Sequence, residues 1–360
     1  MKMITKLKID GFKGFKQLEI SKLSRITLLG GRNNVGKTSI LEALFMFYDR
    51  LNPQMILRQF AWRGIGTIAF EPESMWEPVF NDYDLNKKIT IFVVVNGHEE
   101  KMTVKFNPQY IRAPIPANVM GHRMKPALIR TDQKPEPSYS LDIVYENKKI
   151  KNQMAHLIMG VQGPMIHLDN DKIESRNAYF LGARVPISHS DDSQRFGQLD
   201  ILGKLEGIAE FLRIIEPKLK SLSSVAMGDI SLIHGDIGLS RKIPVAFMGD
   251  GVSRLLSIIL AIATSKNGIV LIDECENGIH YSSMPKIWEA IAKAAREYEC
   301  QVIGTTHSYE CLEAAYNGIS GELSNDFSYV RIDRIDNKTT AKCFDYELLK
   351  VAVESNMEVR

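Results

Sequence analysis

Apolar and polar residues alternate along three segments of this chain, at positions 4–20, 88–106 and 139–150. Successive side chains of a β-strand point to opposite faces, so alternation with a period of two predicts strands that have one buried face. The middle segment turns at Asn96-Gly97, a pair typical of tight hairpins. We therefore predict a β-rich subdomain over residues 51–180, preceded by paired strands near the N-terminus.

Apolar residues follow one another without alternation in three short runs, 25–29, 269–272 and 301–304. A strand that is buried on both faces shows such a run, and parallel sheets are built from strands of this kind. Helical periodicity extends from about Thr38 to Arg50, and it recurs from residue 198 until it ends near Pro217. We therefore predict an α/β fold with a helical lobe over residues 190–245.

Residues 107–137 contain six prolines, more than a regular helix or strand accommodates. Arg112, Arg123, Lys125 and Arg130 are among the basic residues of the same segment. A long irregular excursion explains the prolines. Two interpretations of this proline-rich insert stay open: a solvated loop, or a contact with a partner protein or nucleic acid.

The composition is that of a globular protein, with 44% hydrophobic and 24% charged residues among 360. A net charge of +2 gives no bulk attraction for nucleic acid, so any basic surface must be local. The four cysteines form no CxxC pair, which argues against a disulfide framework and a cysteine metal site. The apolar run 255–263 is too short to span a bilayer, and the N-terminus lacks a signal peptide's apolar core. We expect a cytoplasmic protein without a membrane span.

Residues 31–38, GRNNVGKT, match the pattern G-x-x-x-x-G-K-[ST] of a phosphate-binding loop. Glycines let the backbone curl around a polyphosphate, and the N-terminus of the predicted helix adds a positive dipole. Lys37 is expected to reach the β and γ phosphates and Thr38 to bind Mg²⁺; the alternative is a glycine turn with a solvated lysine. The residues predicted to bind the nucleotide are Gly31, Asn33, Asn34, Val35, Gly36, Lys37, Thr38 and Ser39.

The apolar run 269–272 ends in two carboxylates, Asp273 and Glu274. A central strand of a parallel sheet delivers such groups to the edge where a phosphate site lies. We predict that Asp273 binds Mg²⁺ and that Glu274 polarises the attacking water. His307 follows the next buried run, one helix later, so an adjacent strand would bring it to the same edge as Glu274. The alternatives are a solvated turn or a capped helix for the two acids and a packed or solvated side chain for the histidine.

Six stretches of the chain resemble the ATPase heads of the RecF, OLD and SMC branch of the ABC ATPases, and in particular the small stand-alone ATP-binding proteins of that branch. In chain order they are IDGFKGFKQLEI, GRNNVGKTSILEAL, FMGDGVSRLLSIILAIA, LIDECENGIHYS, VIGTTHS and MEVR. The resemblance implies a P-loop NTPase fold, with one ABC-type ATPase head over residues 1–360 that is formed from both ends of the chain. It implies an antiparallel β subdomain and a helical lobe within that head, ATP as the substrate and Mg²⁺ as the metal.

The resemblance also assigns catalytic roles. Lys37 matches the phosphate-loop lysine, Glu274 the catalytic base and His307 the histidine that senses the γ phosphate. Asp273 matches the magnesium acid. Residues 276–280 fall where the family has its D-loop, which crosses the dimer interface.

The family's signature motif, which contacts ATP bound to the opposite subunit, matches Gly249-Asp250-Gly251 followed by Arg254. The family often carries a serine near Gly249, and this chain has none before Ser253. The Q-loop position falls within residues 179–190. The nearest glutamines lie downstream of it, at Gln194 and Gln198.

The resemblance implies that two copies, or a higher homo-oligomer, hold ATP between facing subunits, because each copy supplies an element that the other's site lacks. From the lengths of sequence between Thr38 and Phe247 and after Ser308, we expect neither the long arms of SMC proteins nor the TOPRIM domain of OLD nucleases. The leading hypothesis is an ATP-gated sensor or scaffold that controls a separately encoded effector, often a TOPRIM-like nuclease, in phage defence. Two alternatives stay open: a RecF-like ATPase that clamps DNA during repair, and a nucleotide-dependent structural module with negligible turnover.

Overall fold

The computed structural model describes residues 2–65, 75–110, 138–160, 163–169, 176–184, 188–228, 230–336 and 338–354. Within these ranges the strands are, in chain order, β1 (Ile4–Phe12), β2 (Phe15–Ile20), β3 (Ile26–Gly30), β4 (Lys88–Val95), β5 (His98–Tyr110), β6 (Ser138–Asn147), β7 (Gln153–Gly160), β8 (Gly163–Leu168), β9 (Ala178–Leu181), β10 (Ser221–Met227), β11 (Ile230–Asp236), β12 (Ile243–Pro244), β13 (Ile269–Ile272), β14 (Gln301–Thr305), β15 (Phe327–Ile335) and β16 (Lys338–Asp345). The α-helices are α1 (Lys37–Tyr48), α2 (Met55–Ala61), α3 (His189–Ile201), α4 (Leu205–Arg213), α5 (Asp250–Thr264), α6 (Met284–Glu297), α7 (Tyr309–Gly318) and α8 (Tyr346–Glu354).

The first sheet orders its strands β16-β15-β3-β14-β13-β9. The strands from β15 to β9 run parallel, and β16 pairs antiparallel at one edge. The three continuous apolar runs are β3, β14 and β13, which lie side by side. Both faces of β13 are covered, since Val270 and Ile272 join one hydrophobic core while Ile269 and Leu271 join a second. This double burial explains why these sequences are apolar without alternation.

The second sheet orders its strands β2-β1-β4-β5-β6-β7-β8, and its neighbouring strands pair antiparallel. Val95 pairs with His98 across the predicted turn, where Asn96 and Gly97 have φ of 49° and 77°. Positive φ at both central residues is the hairpin geometry that Asn-Gly favours. The apolar residues of α1 join a single core with residues of both sheets, so this helix links them. The predicted α/β class with an antiparallel β subdomain is therefore confirmed, and that sheet also includes the strands of residues 4–20.

Residues 190–245 differ from the predicted helical lobe. The helices α3 and α4 end at Arg213, and the chain then forms the antiparallel sheet β10-β11-β12. In β10 and β11 the sequences SLSSVAM and ISLIHGD pair along their whole length, from Ser221 opposite Asp236 to Met227 opposite Ile230. The helical interpretation is therefore wrong for residues 221–244. The helical periodicity of the sequence ends near Pro217, and the residues after it form short paired strands.

Two features of the sequence fall mainly on residues that the structure does not describe. The proline-rich insert lies there from residue 111 to 137, since β5 continues through Asn107 to Tyr110 and pairs with β6 from Ser138. The stretch MEVR lies there as well. None of the helices within the described ranges has the length and apolar character needed to cross a membrane.

Candidate functional site

The phosphate-binding loop connects β3 to α1 at the carboxyl end of a central parallel strand. Gly31 and Gly36 have φ of 129° and 102°, and Asn34 has φ of 67°. A side chain at Gly31 would overlap the Ile332 carbonyl group, and one at Gly36 would overlap the Phe15 ring. Both glycines are therefore required by space as well as by backbone conformation. The N-terminus of the 12-residue helix α1 follows directly, with the N–H groups that favour bound anions.

The other predicted loop residues divide into exposed and buried ones. Asn33 and Asn34 are exposed, whereas Val35 and Ser39 are buried. The Val35 side chain belongs to the hydrophobic core that also contains α1. It anchors the loop on that core, and this leaves the main chain to face a ligand.

Lys37 lies across the loop, and its ammonium group donates to the carbonyl oxygen of Gly31 at 2.7 Å. Burial lowers the pKa of Lys37, and the negative charges of Glu276, Asp273 and Glu274 oppose that shift. The structure therefore brings the loop lysine into the field of three carboxylates that follow β13. This is the charge arrangement that the sequence predicted for the carboxyl edge of the parallel sheet, with Glu276 as an additional member.

Thr38 and Asp273 are in direct contact. The Thr38 hydroxyl donates to Asp273 Oδ1 at 3.0 Å, and the Thr305 hydroxyl donates to the same oxygen at 2.7 Å. Asp273 is 8% exposed, and burial raises its pKa against the hydrogen bonds from Thr305 and Thr38, which lower it. A nearby cation would stabilise the ionised form of a buried carboxylate in this setting.

The Thr38–Asp273 pair fits Mg²⁺, which binds few protein oxygens and completes its octahedron with phosphate oxygens and water. Across the described ranges no group of three or more His, Cys, Asp or Glu side chains has metal-binding geometry. A magnesium ion at this pair would be held by oxygens of Thr38 and Asp273 together with the nucleotide. When bound, it would neutralise charge on the phosphates.

Glu274 has φ of 49°, a conformation that is uncommon for a residue other than glycine and is often found at functional sites. Its main-chain N–H donates to the Thr305 hydroxyl at 2.8 Å, and its Oε2 accepts from the Asn277 amide at 2.9 Å. Thr305 thus bonds both to Glu274 and to Asp273. Neither Thr305 nor Asn277 was predicted as a site residue, although each lies within a stretch that carries the family resemblance, VIGTTHS or LIDECENGIHYS.

The expected strand adjacency is present at His307, because β13 and β14 pair in parallel with Ile272 opposite Gly304. The side chain of Glu276 contacts His307. Its Oε1 lies 3.1 Å from His307 Nδ1 and accepts the His307 main-chain N–H at 3.0 Å. The adjacency of the strands could be predicted from the sequence, whereas the choice of Glu276 as a partner could not.

The stretch Gly249-Asp250-Gly251 forms an exposed turn at the N-terminus of α5. A Cβ atom at Gly249 or Gly251 would meet no heavy atom of the described residues within 4 Å. The D-loop candidate, 276–280, is its neighbour, since a Cβ at Gly278 would lie 3.9 Å from Asp250 Cβ. Phe247, just before the turn, is 81% exposed. This signature-like turn is therefore an open surface next to the segment that follows Asp273 and Glu274.

Arg254, in the first half of α5, is only 7% exposed, and its Nε and Nη2 have no hydrogen-bond partner in the described part of the chain. Burial lowers its pKa. It lies beneath the exposed turn, in the interior. In the predicted Q-loop stretch, residues 185–187 are outside the described part, and Gln194 and Gln198 lie on α3, so the Q-loop residue stays unassigned.

Comparisons with known proteins bear on this arrangement. A family model described as an AAA ATPase domain matches residues 1–180, and one described as "AAA domain, putative AbiEii toxin, Type IV TA system" matches residues 145–313. An ATP/GTP phosphatase of Helicobacter pylori is 22% identical over 334 residues, which are 86% of this chain and 87% of that protein. An uncharacterized protein of Methanocaldococcus jannaschii is 36% identical over 81 residues, which are 21% of this chain and 71% of that protein.

The fold is similar to that of an SMC head, solved in complex with the C-winged helix domain of ScpA. The TM-score is 0.50 at 12% identity, with 98% of this chain and 99% of that chain covered, so this likeness shows the fold alone. It confirms the predicted architecture of a P-loop ABC-type ATPase head. The AAA ATPase domain model spans half of the chain. This chain therefore belongs to the AAA ATPase domain family, and its fold is that of an SMC-type ATPase head.

Proposed function

We propose that this ATPase works as a homodimer that closes around ATP, and that the closed state controls a separately encoded effector in defence against phage. Each closed site would combine the phosphate loop of one copy with the Gly249-Asp250-Gly251 turn of the other. Binding and release of the effector would then follow the nucleotide cycle.

The exposed signature-like turn carries this proposal. A turn with open space around Gly249 and Gly251 and an exposed aromatic residue, Phe247, beside it is suited to approach by another molecule. The neighbouring Gly278 continues the same surface toward the carboxylates that follow β13. A second copy placed on this surface would bring its phosphate loop to the turn.

Within each site, we propose that the loop from Gly31 to Ser39 holds the triphosphate and that Lys37 pairs with its β and γ phosphates. Thr38 and Asp273 would hold Mg²⁺, Glu274 would orient the attacking water, and His307 would contact the γ phosphate. Phosphoryl transfer depends on positioning and charge neutralisation more than on covalent chemistry, so these groups, together with the turn of the other copy, would supply what hydrolysis requires.

The defence role is supported by the family description for residues 145–313, which names a putative AbiEii toxin of a type IV toxin–antitoxin system. A sensor of this kind acts on another protein, and we propose a nuclease, of TOPRIM type, as the effector. All of its partners would be met in the cytoplasm.

Co-purification with the product of the neighbouring gene tests the proposed effector. We expect the Glu274→Gln variant to retain that product in the presence of ATP and the Lys37→Ala variant to release it. Hydrolysis that DNA stimulates, with a steep salt dependence and no retained protein, would instead favour a RecF-like DNA clamp.

A further inference from the structure

Glu276 is a third carboxylate beyond the end of β13, and the sequence placed it only at the start of the D-loop candidate. Its side chain is 10% exposed. Its Oε1 accepts from the Thr306 hydroxyl at 2.9 Å and from the His307 main-chain N–H at 3.0 Å, and His307 Nδ1 lies 3.1 Å away. Two of the three contacts on this single oxygen therefore come from one residue, His307.

These contacts constrain the His307 ring. A carboxylate oxygen accepts hydrogen bonds, so this contact at 3.1 Å favours the ring tautomer with its proton on Nδ1. The proton on Nδ1 then fixes the tautomer, and Nε2 is the ring nitrogen on the far side from Glu276. When Nε2 also carries a proton, it can donate a hydrogen bond to a phosphate oxygen while Nδ1 faces Glu276.

The second oxygen of Glu276 has a different environment. Oε2 is buried and has no hydrogen-bond partner among the residues that the structure describes. An unpaired buried carboxylate oxygen costs free energy, and such an atom in a native site calls for a functional explanation. Among the carboxylates that raise the pKa of Lys37 against burial, Glu276 acts most strongly, ahead of Asp273 and Glu274. Glu276 thus lies near the phosphate site, although among the described residues its contacts are with Thr306 and His307 and not with Lys37.

The neighbouring carboxylate is used differently. Glu274 Oε2 accepts from the Asn277 amide at 2.9 Å, whereas Glu276 Oε1 accepts from the main chain of His307 and lies beside its ring. The structure thus separates two tasks between two glutamates only two positions apart. Glu274 accepts a hydrogen bond from a neutral amide, whereas Glu276 contacts the histidine.

We propose that Glu276 is a positioning residue for hydrolysis, which orients the His307 ring as an Nδ1–H donor and leaves Nε2 to bind the terminal phosphate of ATP. This inference rests on the proposed role of His307. It assigns Glu276 to the chemistry of its own subunit, in addition to any contact that the D-loop makes across a dimer.

A double-mutant cycle tests the inference. Glu276→Gln keeps the size of the side chain and an acceptor for His307 but removes the charge, and we expect kcat to fall about 10- to 100-fold, the usual effect of losing a group that orients a functional histidine. KM for ATP should change less than about threefold because the phosphate loop is untouched. In a His307→Ala background the same substitution should have no further effect on kcat, since there is no ring left to orient.

Glu289→Gln is the matched control, because Glu289 pairs with Lys293 on the exposed side of α6 and lies outside the site. It should keep the wild-type kcat. Wild-type hydrolysis by Glu276→Gln would overturn the inference, as would a full additive loss in the double mutant, which indicates a general structural role. Normal hydrolysis by His307→Ala would instead remove the proposed role of His307 itself, so the two failures are distinguishable.

Nitrogen chemical shifts of labelled histidine give a second test that does not depend on a folded Glu276 variant. The signals of His307 are identified by their loss in His307→Ala. We expect Nδ1 of His307 to be protonated in the wild-type protein bound to magnesium and a non-hydrolysable ATP analogue. A neutral ring with a bare Nδ1 and a proton on Nε2 would contradict the proposal.

Discussion

The phosphate-loop side of the site and the signature-like turn differ in how fully their groups are paired within one chain. On the phosphate-loop side, Thr38, Asp273 and Thr305 form a continuous hydrogen-bonded set, and Lys37 is tied to the loop. The Gly249-Asp250-Gly251 turn is exposed and has open space around both glycines. The groups of the first region are paired within one chain, whereas the second region gains further contacts only if another molecule covers it.

Lys37→Ala should have the largest effect, because it removes the loop's charge-assisted contact with the phosphates. We expect ATP affinity to fall about 100-fold or more and hydrolysis to be lost with it. Titration calorimetry measures this directly, with Lys6→Ala, an exposed lysine of β1, as the control. Wild-type affinity in Lys37→Ala would break the assignment of the phosphate-loop side.

Glu274→Gln should slow ATP hydrolysis at the phosphate-loop side while ATP binding stays intact. Loss of a general base slows hydrolysis by about 10²- to 10⁴-fold, while the phosphate contacts stay. Phosphate release measures the slower hydrolysis, and nucleotide binding measured on the same sample checks that ATP affinity is retained. Unchanged turnover would show that another group orients the water.

Gly251→Arg should affect the open turn alone. We expect each chain to bind ATP within about threefold of wild type, while hydrolysis falls about 100-fold, as when a preorganised transition-state contact is lost. Gly197→Arg is the matched control, because Gly197 lies on α3 and a Cβ atom there would also meet no heavy atom of the described residues within 4 Å. Equal loss of ATP binding in Gly251→Arg would show that the two regions are not independent.

Thr305→Ala should have the smallest effect. It removes one hydrogen bond to Asp273 and one to the main chain of Glu274, which costs about 1–3 kcal/mol when a buried group is left short of a partner. We expect hydrolysis to fall about 10-fold and to need more Mg²⁺ for half-maximal rate. Thr305→Ser keeps the hydroxyl and should restore both values; failure of this rescue would assign the loss to packing.

The sequence could predict the parts of this site that depend on a motif spacing or on a run of apolar residues. Residues 31–38 combine a spacing, a preceding strand and a following helix, and the run before Asp273 is apolar because β13 is buried on both faces. The strand pair β10 and β11 could not be predicted in this way, because its short alternation follows a helical period and is interrupted by a glycine turn. The contacts of Glu276 with His307 and of Asn277 with Glu274 depend on loop conformations, including the positive φ of Glu274, that no periodicity encodes.

Light scattering of the Glu274→Gln variant with magnesium and ATP tests the composite dimer most directly. The account predicts a shift from the 40.7 kDa of one chain to twice that mass with ATP and no shift with ADP, and it predicts that adding Gly251→Arg abolishes the shift. A Glu274→Gln variant that binds ATP yet stays at the mass of one chain at every protein concentration would contradict it.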